Sequence, residues 1–432
     1  LQPRRVSRAA AEQRAGRAGR LEPGVCYRLW SAQQHEQLVA QREPEMRQAD
    51  LAPLALQLAH WGVQDVSELV WLDPPPAAAL QQGRELLQRL GAMQQSERGW
   101  QLTAHGETLV SLPMHPRLAH MLVVGQRVGL GKVAARLAAI VDERDLLRRA
   151  ASVDACLRLA LFDDARGADA DRGALQRARK LAEQWERQLQ RLPQADAVSD
   201  PAHDKWVGVL LALAYPDRIA QRRGEGGSEY RLANGRAAAF IESDSLQQSS
   251  WLAVAALGGQ AAQRNARIFL AAELDVPALL SLQPDLLSQR DTLAWDARSE
   301  SLLAERQERI GELVWQRTAL PKIDPQQRQR ALCDVVRRQG LALLPWTPAL
   351  RQWQARIALL RDLDLAESGK SEWPDLSDQT LLDTLEDWLA PYLDKVTRLA
   401  HFGNLELPGI LAARLPWPLP QQLDELAPTH WQ

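Results

Sequence analysis

The stretch Gln13-Arg14-Ala15-Gly16-Arg17-Ala18-Gly19-Arg20 constrains this chain more than any other. Three arginines three apart, separated only by Ala and Gly, fall on roughly one side of a helical or turn-like segment. The small residues let that segment approach another surface closely. An Arg/Gly stretch by itself would suit a flexible RNA-binding tail. The residues that follow argue against a tail, because Gly24-Val25-Cys26-Tyr27-Arg28-Leu29-Trp30 reads as an apolar strand. Disordered tails are not tucked against a buried strand.

Gln13–Arg20, followed by Pro23-Gly24-Val25-Cys26-Tyr27-Arg28-Leu29-Trp30, is similar to the last conserved motif of superfamily 2 helicases in its DEAH-box spelling, with all eight residues matched. The resemblance implies a place in the second of two RecA-like domains, facing ATP bound on the first. It implies that Gln13 positions the attacking water, that Arg17 and Arg20 meet the β- and γ-phosphates, and that Arg14 serves packing between the domains. Phosphoryl transfer is catalysed mostly by positioning and charge neutralisation, and an arginine finger contributes about 10³–10⁵ in rate. ATP and Mg²⁺ are thus the implied cofactors, held mainly by an N-terminal half that this sequence lacks.

The other parts of an ATPase are not spelled out. No G-x-x-x-x-G-K-[S/T] occurs. Gly129-Leu130-Gly131-Lys132-Val133 is the nearest echo, but Val133 cannot ligate Mg²⁺. Asp142-Glu143-Arg144-Asp145 resembles a DEAD-type box by letter only, since it ends a helical pattern where a metal-binding pair should end a buried strand. Both read as structural. This chain alone is expected not to hydrolyse ATP.

Residues 1–43 are expected to be the C-terminal end of the second RecA-like domain. In 44–115, Leu51, Leu54, Leu58 and Trp61 form an amphipathic stripe stopped at Gly62. Pro74-Pro75-Pro76 opens a second helix with Leu80, Leu86, Leu87 and Leu90 on its apolar face. Trp100-Gln101-Leu102 reads as a strand and Thr103 as the cap of another helix. This order suits a winged helix, and Leu90–Leu122 resembles the winged-helix and helicase-associated region of DEAH enzymes. There the module braces the RecA-like pair and does not read bases.

Residues 116–200 read as a helical bundle. Leu175, Ala178, Leu181, Trp185, Leu189 and Leu192 make one long stripe. The opposite face, with Arg177, Arg179, Lys180, Arg187 and Arg191, lines a nucleic-acid channel or is merely solvated. Pro193–Asp204 reads as a linker.

Residues 201–282 read as an OB-like β domain. Ala212–Arg223 resembles the HrpB branch of the family. Strand patterns then follow at Glu229–Ala233, Arg236–Ile241, Trp251–Leu257 and Arg267–Ala272, with Asn234-Gly235 as a hairpin signal. Such barrels bind single strands through basic grooves and aromatic platforms. Arg222, Arg223, Tyr230, Arg231 and Arg236 are the local candidates, unless Tyr230 is barrel core and the arginines a solvated rim. Residues 283–432 resemble the additional C-terminal region of HrpB proteins. This region is rich in tryptophan, with a hairpin-like stretch from Leu302 to Val314, helical stripes at Trp353–Leu360 and Leu381–Leu389, and Ser377 as an N-cap. It carries no readable chemical constellation.

Composition sets outer bounds. Over 432 residues the net charge is only −2, so no global basic field advertises a nucleic-acid partner. Of 52 basic residues six are lysines, leaving 52 − 6 = 46 arginines. That bias fits genomic base composition as well as phosphate binding. Cys26, Cys156 and Cys333 lie far apart and form no CxxC pair, which argues against disulfides or zinc and for a reducing compartment. No apolar run reaches the roughly 20 residues of a membrane span. The chain opens Leu1-Gln2-Pro3-Arg4-Arg5 without an initiator Met and ends at Trp431-Gln432, and both ends read as cut.

The expected fold class is therefore multidomain and mainly α with smaller β parts: the tail of a RecA-like α/β domain, a winged helix, a helical bundle, an OB-like barrel and an α-rich C-terminal region. The expected function is the C-terminal part of a cytoplasmic, monomeric, ATP-dependent RNA or nucleic-acid helicase. Its partners would be single-stranded RNA or DNA, no membrane, and the missing N-terminal RecA-like domain. The alternative is a standalone, non-enzymatic nucleic-acid-binding or regulatory module.

Overall fold

A computed structural model describes residues 5–429 apart from 48, 98, 144, 150–151, 166–168, 194–197, 199–203, 225, 259–264 and 322. Most of the linker expected over 193–204 lies outside the described residues, as does Arg144. The chain forms two compact units that divide between Leu286 and Leu287. Roughly half of it is helical. The strands form a two-stranded sheet, a closed five-stranded barrel and a three-stranded sheet.

The first unit opens with α1 (Arg8–Ala18). Ser7 Oγ caps it by accepting from the Ala10 amide at 3.2 Å. The Arg8 and Ala9 amides donate to the carbonyls of Val39 and Ala40 at 2.9 and 3.1 Å. A capping box between Ser31 and Gln34 starts α2 (Ala32–Glu36). Between residues 5 and 43 only Ser7, Ala11 and Leu38 are buried, so this segment has no core of its own. The strand expected over 24–30 does not form. Residues 23–28 are irregular, and Tyr27 and Leu29 are 85% and 95% exposed. A strand persists where a neighbour supplies its ladder hydrogen bonds, and no described segment pairs with this one.

Next come α3 (Ala52–His60), α4 (Ala77–Arg89), the antiparallel pair β1 (Met93–Ser96) and β2 (Gly99–Leu102), and α5 (Ala104–Val110). Leu51, Leu56, Leu58, Leu80, Leu87 and Leu109 close a small core between them. Thr103 Oγ1 accepts from the Gly106 amide at 3.0 Å, the expected cap. Strand β1 is hard to see in sequence because only Met93 of its four residues is buried. A helical group follows: α6 (Pro116–Arg127), α7 (Gly131–Asp142), α8 (Ala155–Ala160) and α9 (Arg172–Leu189). Pro116 occupies the first turn of α6, where its missing amide costs nothing. Helix α9 buries Leu175, Ala178, Trp185 and Leu189, as its stripe requires.

The barrel contains β3 (Ile219–Arg222), β4 (Glu229–Leu232), β5 (Ala237–Ala239), β6 (Trp251–Gly258) and β7 (Ala266–Glu273), closed in the order β3-β4-β5-β7-β6. Only β5 and β7 run parallel. Strand β3 is hidden in sequence, being four residues long and following a 3₁₀ turn at Pro216–Arg218. The Asn234-Gly235 hairpin uses a three-residue loop. Arg231 pairs with Ala237, the Leu232 amide donates to the Arg236 carbonyl at 2.8 Å, and Gly235 takes φ +84°. That is the Gly-terminated longer hairpin loop, not the two-residue turn.

Helix α10 (Lys205–Ala214) is buried from Trp206 to Ala214 because it packs on α6 at one side and on β6 and β7 at the other. Gly208 permits the closest approach, since a Cβ there would stand 1.8 Å from the Glu273 carbonyl oxygen. Helix α11 (Val276–Leu282) ends the unit.

The second unit begins with the antiparallel strands β8 (Leu287–Asp296), β9 (Ser301–Ile310) and β10 (Leu313–Ala319), in the order β10-β9-β8. Strands β9 and β10 are the hairpin expected near Leu302–Val314. Helices α12 (Pro325–Gln339), α13 (Pro348–Ser368), α14 (Asp378–Asp383), α15 (Leu385–Trp388), α16 (Leu407–Ala412) and α17 (Leu419–Leu426) follow. They share a core with Trp373, Trp388, Phe402 and many leucines. Ser377 Oγ caps α14, accepting from the Thr380 amide at 3.3 Å.

Candidate functional site

Helix α1 sorts the residues of the Arg/Gly motif by angle. Successive residues turn by about 100°, so Gln13 and Arg17, four apart, share one face. Arg20 lies seven residues on, just past the C-cap Gly19. Arg14 is turned well away from that face. The triplet that shares a side is Gln13, Arg17 and Arg20, not the three arginines that the spacing first suggests. All three are exposed, and among the described residues no carboxylate is recorded within ion-pairing distance of Arg14, Arg17 or Arg20. A Cβ added to Gly16 would meet nothing within 4 Å. The donor set of an amide and two unneutralised guanidiniums fits a polyphosphate.

The two echoes of ATPase motifs are structural. Gly131-Lys132 starts α7, with Lys132 exposed. Glu143 accepts from Arg177 Nε and Nη2 at 2.7 and 3.1 Å. Asp145 receives Arg158 Nε and Nη2 at 3.2 and 2.8 Å. Arg158 is 1% exposed and also donates to the Ser152 and Asp154 carbonyls. These carboxylates hold helices together. Among the described residues no three His, Cys, Asp or Glu side chains gather as metal ligands, and no helix is long and apolar enough to cross a membrane.

The barrel candidates separate. Tyr230 is fully buried, its ring edge-on to Phe240 at 5.6 Å and its hydroxyl 2.8 Å from the Ser249 carbonyl oxygen, to which it donates. It is barrel core, which removes it as a stacking platform. The β-strand alternation explains this, because Glu229 and Arg231 on either side point outward. Arg222 donates to the Gln247 and Gln248 carbonyls at 3.0 and 3.1 Å, so it braces the loop before β6. Arg223 lies 3.8 Å from Glu229. Arg231 and Arg236 are exposed. On α9, Arg177 is held by Glu143, and Arg179 donates to the Leu161 and Phe162 carbonyls. Lys180, Arg187 and Arg191 remain on its exposed face.

The sequence reading passed over two features. Arg117 on α6 forms a buried, two-pronged ion pair with Asp217, at the start of the barrel. Phe269 stands exposed on the outside of β7 beside Arg267. The alternation Arg267, Phe269 against Ile268, Leu270 was the available signal.

A family model described as "ATP-dependent RNA helicase HrpB, connector region" matches residues 286–320, which contain β8 to β10. The chain is 35% identical over 428 residues to the protein named ATP-dependent RNA helicase HrpB of Escherichia coli, covering 99% of this chain and 49% of that one. It is 36% identical over 165 residues to ATP-dependent RNA helicase DEAH12 of Arabidopsis thaliana, which covers 38% of this chain and 9% of that protein. A crystal structure of E. coli DExH-box NTPase HrpB superimposes with a TM-score of 0.57 at 34% identity, over 99% of this chain and 49% of the other. The chain thus spans about half the length of the HrpB relative. Over almost its whole length the chain is similar to HrpB-type DEAH-box proteins and corresponds to a C-terminal portion of one.

Proposed function

We propose that this chain is the C-terminal part of a cytoplasmic ATP-dependent RNA helicase. Helix α1 supplies Gln13, Arg17 and Arg20 to an ATP site whose other half lies on a separate RecA-like domain. The observation that carries this reading is an Arg/Gly motif whose phosphate-binding face is solvent-exposed, in a segment that has no core of its own. ATP with Mg²⁺ supplies the transferable phosphoryl group and its counter-charge. Gln13 orients the water that attacks. Arg17 and Arg20 neutralise charge that develops on the phosphate oxygens, a contribution that needs no further reorganisation once the guanidiniums are positioned. The exposed Leu21, Val25, Tyr27 and Leu29 are the residues that the remainder of a RecA-like domain covers.

The same reading assigns the other parts. Residues 44–115 are a winged helix that braces the RecA-like pair. The helices of 116–200 and the OB-like barrel line part of the path of a single strand, with the exposed Lys180, Arg187 and Arg191 facing phosphate. Arg222 holds backbone carbonyls and Tyr230 is barrel core, while Arg223 stays exposed beside Glu229.

The test is single-turnover hydrolysis by the full-length protein carrying this region. Arg20→Ala and Arg17→Ala are each expected to slow the chemical step by about 10³-fold or more while nucleotide affinity falls modestly. Gln13→Ala acts on turnover alone. Unchanged single-turnover hydrolysis in Arg20→Ala overturns the assignment.

A further inference from the structure

Of Gln13, Arg17 and Arg20, only Arg20 lies outside a helix. Helix α1 ends at Ala18, Gly19 is its C-cap, and residues 20–22 form a bend. A guanidinium that neutralises charge in a transition state has to reach the same place at every turnover. Something other than helical hydrogen bonds must therefore fix the backbone of Arg20.

The chain does this by turning back onto the end of α1. Gly24 lies so close to Ala18 that a Cβ at 24 would stand 1.8 Å from the Ala18 carbonyl oxygen and 2.4 Å from its carbon. The Gly24 amide nitrogen and the Glu22 carbonyl oxygen also come within 3.9 Å of the place a Cβ of Gly19 would take. Residues 19–24 thus make a loop whose two ends touch, with Arg20 one residue from the closure.

Space, and not backbone conformation, is what demands a glycine at 24. Its φ is not positive, so other residues could adopt the same backbone. Both atoms that a Cβ would strike belong to the main chain, and no change of rotamer relieves the overlap. An alanine at 19 would make only ordinary contacts at 3.9 Å, and a φ of −107° suits any residue. The requirement within the loop therefore falls on Gly24, outside the Gln13–Arg20 motif. Core packing does not call for this closure, because no side chain from 20 to 24 is buried and Leu21 is 96% exposed.

We propose that Gly24 is a positioning residue for ATP hydrolysis. Its missing side chain lets the loop clasp α1 and so holds Arg20 where a phosphate meets it. The inference rests on reading Arg20 as an arginine finger. Any side chain at 24 shifts the loop by about 1 Å or more before ordinary contact is restored, and a misplacement of about 1 Å can cost on the order of 10²-fold in rate.

The experiment is single-turnover ATP hydrolysis by the full-length protein carrying this region, as Gly24→Ala, as Arg20→Ala and as the double variant. Gly24→Ala is expected to slow the chemical step by about 10²-fold, with ADP affinity and thermal midpoint close to the parent's. The double variant should be no slower than Arg20→Ala, because a finger that is absent cannot be misplaced. Pro23→Gly loosens the same loop without adding an atom that could clash, so it decides the matter even if the alanine variant folds poorly. It should slow hydrolysis in the parent background and not in Arg20→Ala. Parent-like hydrolysis in folded Gly24→Ala or in Pro23→Gly overturns the proposal. So do losses that multiply in the double variant, or ADP affinity that falls together with the thermal midpoint, since those mark a merely structural role. Unchanged hydrolysis in Arg20→Ala sinks the finger itself, whereas a slow Arg20→Ala beside a parent-like Gly24→Ala sinks only the clasp.

Discussion

The Arg117 guanidinium closes on the Asp217 carboxylate across 100 residues of sequence, with Nη2 3.2 Å from Oδ2, and ties the start of α6 to the start of the barrel. Nη1 also donates to the Ala214 carbonyl at 3.2 Å. Burial by itself would raise the Asp217 carboxyl, but the hydrogen bonds and charge of Arg117 outweigh it and hold the group below its usual range. The side chains are 8% and 16% exposed, so neither charge can be left to water. Asp217→Ala is expected to cost about 3–5 kcal/mol, because it leaves the buried guanidinium only the longer contact of its Nε with Asp50 at 3.8 Å. Arg117→Met combined with Asp217→Leu should recover most of that loss. Urea midpoints of the single and double variants check this, and strict additivity of the two single losses would refute it.

Tyr230 is the cleanest separation of core from surface. Tyr230→Phe removes the hydroxyl that donates to Ser249 and should cost about 1 kcal/mol. Tyr230→Ala should cost about 3–5 kcal/mol through the cavity it leaves. Neither change should alter strand affinity under conditions where the variant remains folded. Thermal melts and anisotropy, measured on the same samples, distinguish lost stability from lost binding.

A third expectation concerns acid. His105 Nε2 and His120 Nδ1 lie 2.8 Å apart between α5 and α6. Burial, then the charge of Arg127, pushes His105 down to about 4. Burial, then the charges of His105 and Arg127, pushes His120 down to about 3. The unfolded chain takes up these protons near pH 6.5 and the folded chain only near 4 and 3. Stability from keeping the pair neutral is therefore complete above about 6.5 and declines as pH falls towards 4 and 3. Urea midpoints should fall over that range by the equivalent of a few kcal/mol, each pKa unit being about 1.4 kcal/mol. His105→Gln with His120→Gln should flatten the profile between pH 6.5 and 4. An unchanged slope in that variant would rule out the pair as its source.

Much of the molecule was legible in order of residues. The α9 stripe from Leu175 to Leu189, the stops at Gly62 and Gly91, the caps Thr103 and Ser377, and Pro116 in a first helical turn all depend on neighbours within a few positions. The Gln13–Arg20 motif was legible for the same reason, since its spacing is local. Four of the five barrel strands were visible as short β patterns. Strand β3 was not, because four residues after a 3₁₀ turn carry too little periodicity to register.

Sequence alone determined the strongly amphipathic helices such as α3, α4 and α9, four of the barrel strands and the choice of phosphate-binding candidates, since periodicity and capping act along the chain. Tertiary structure decided everything that depends on which surfaces meet. It turned Tyr230 inward and Phe269 outward, because strand pairing and one bulge set the face that each residue takes. It gave Arg222 and Arg179 backbone carbonyls to hold, although their composition looked like that of any basic surface. It left residues 23–28 without a ladder, because a strand depends on a neighbour that the local pattern of apolar residues cannot supply.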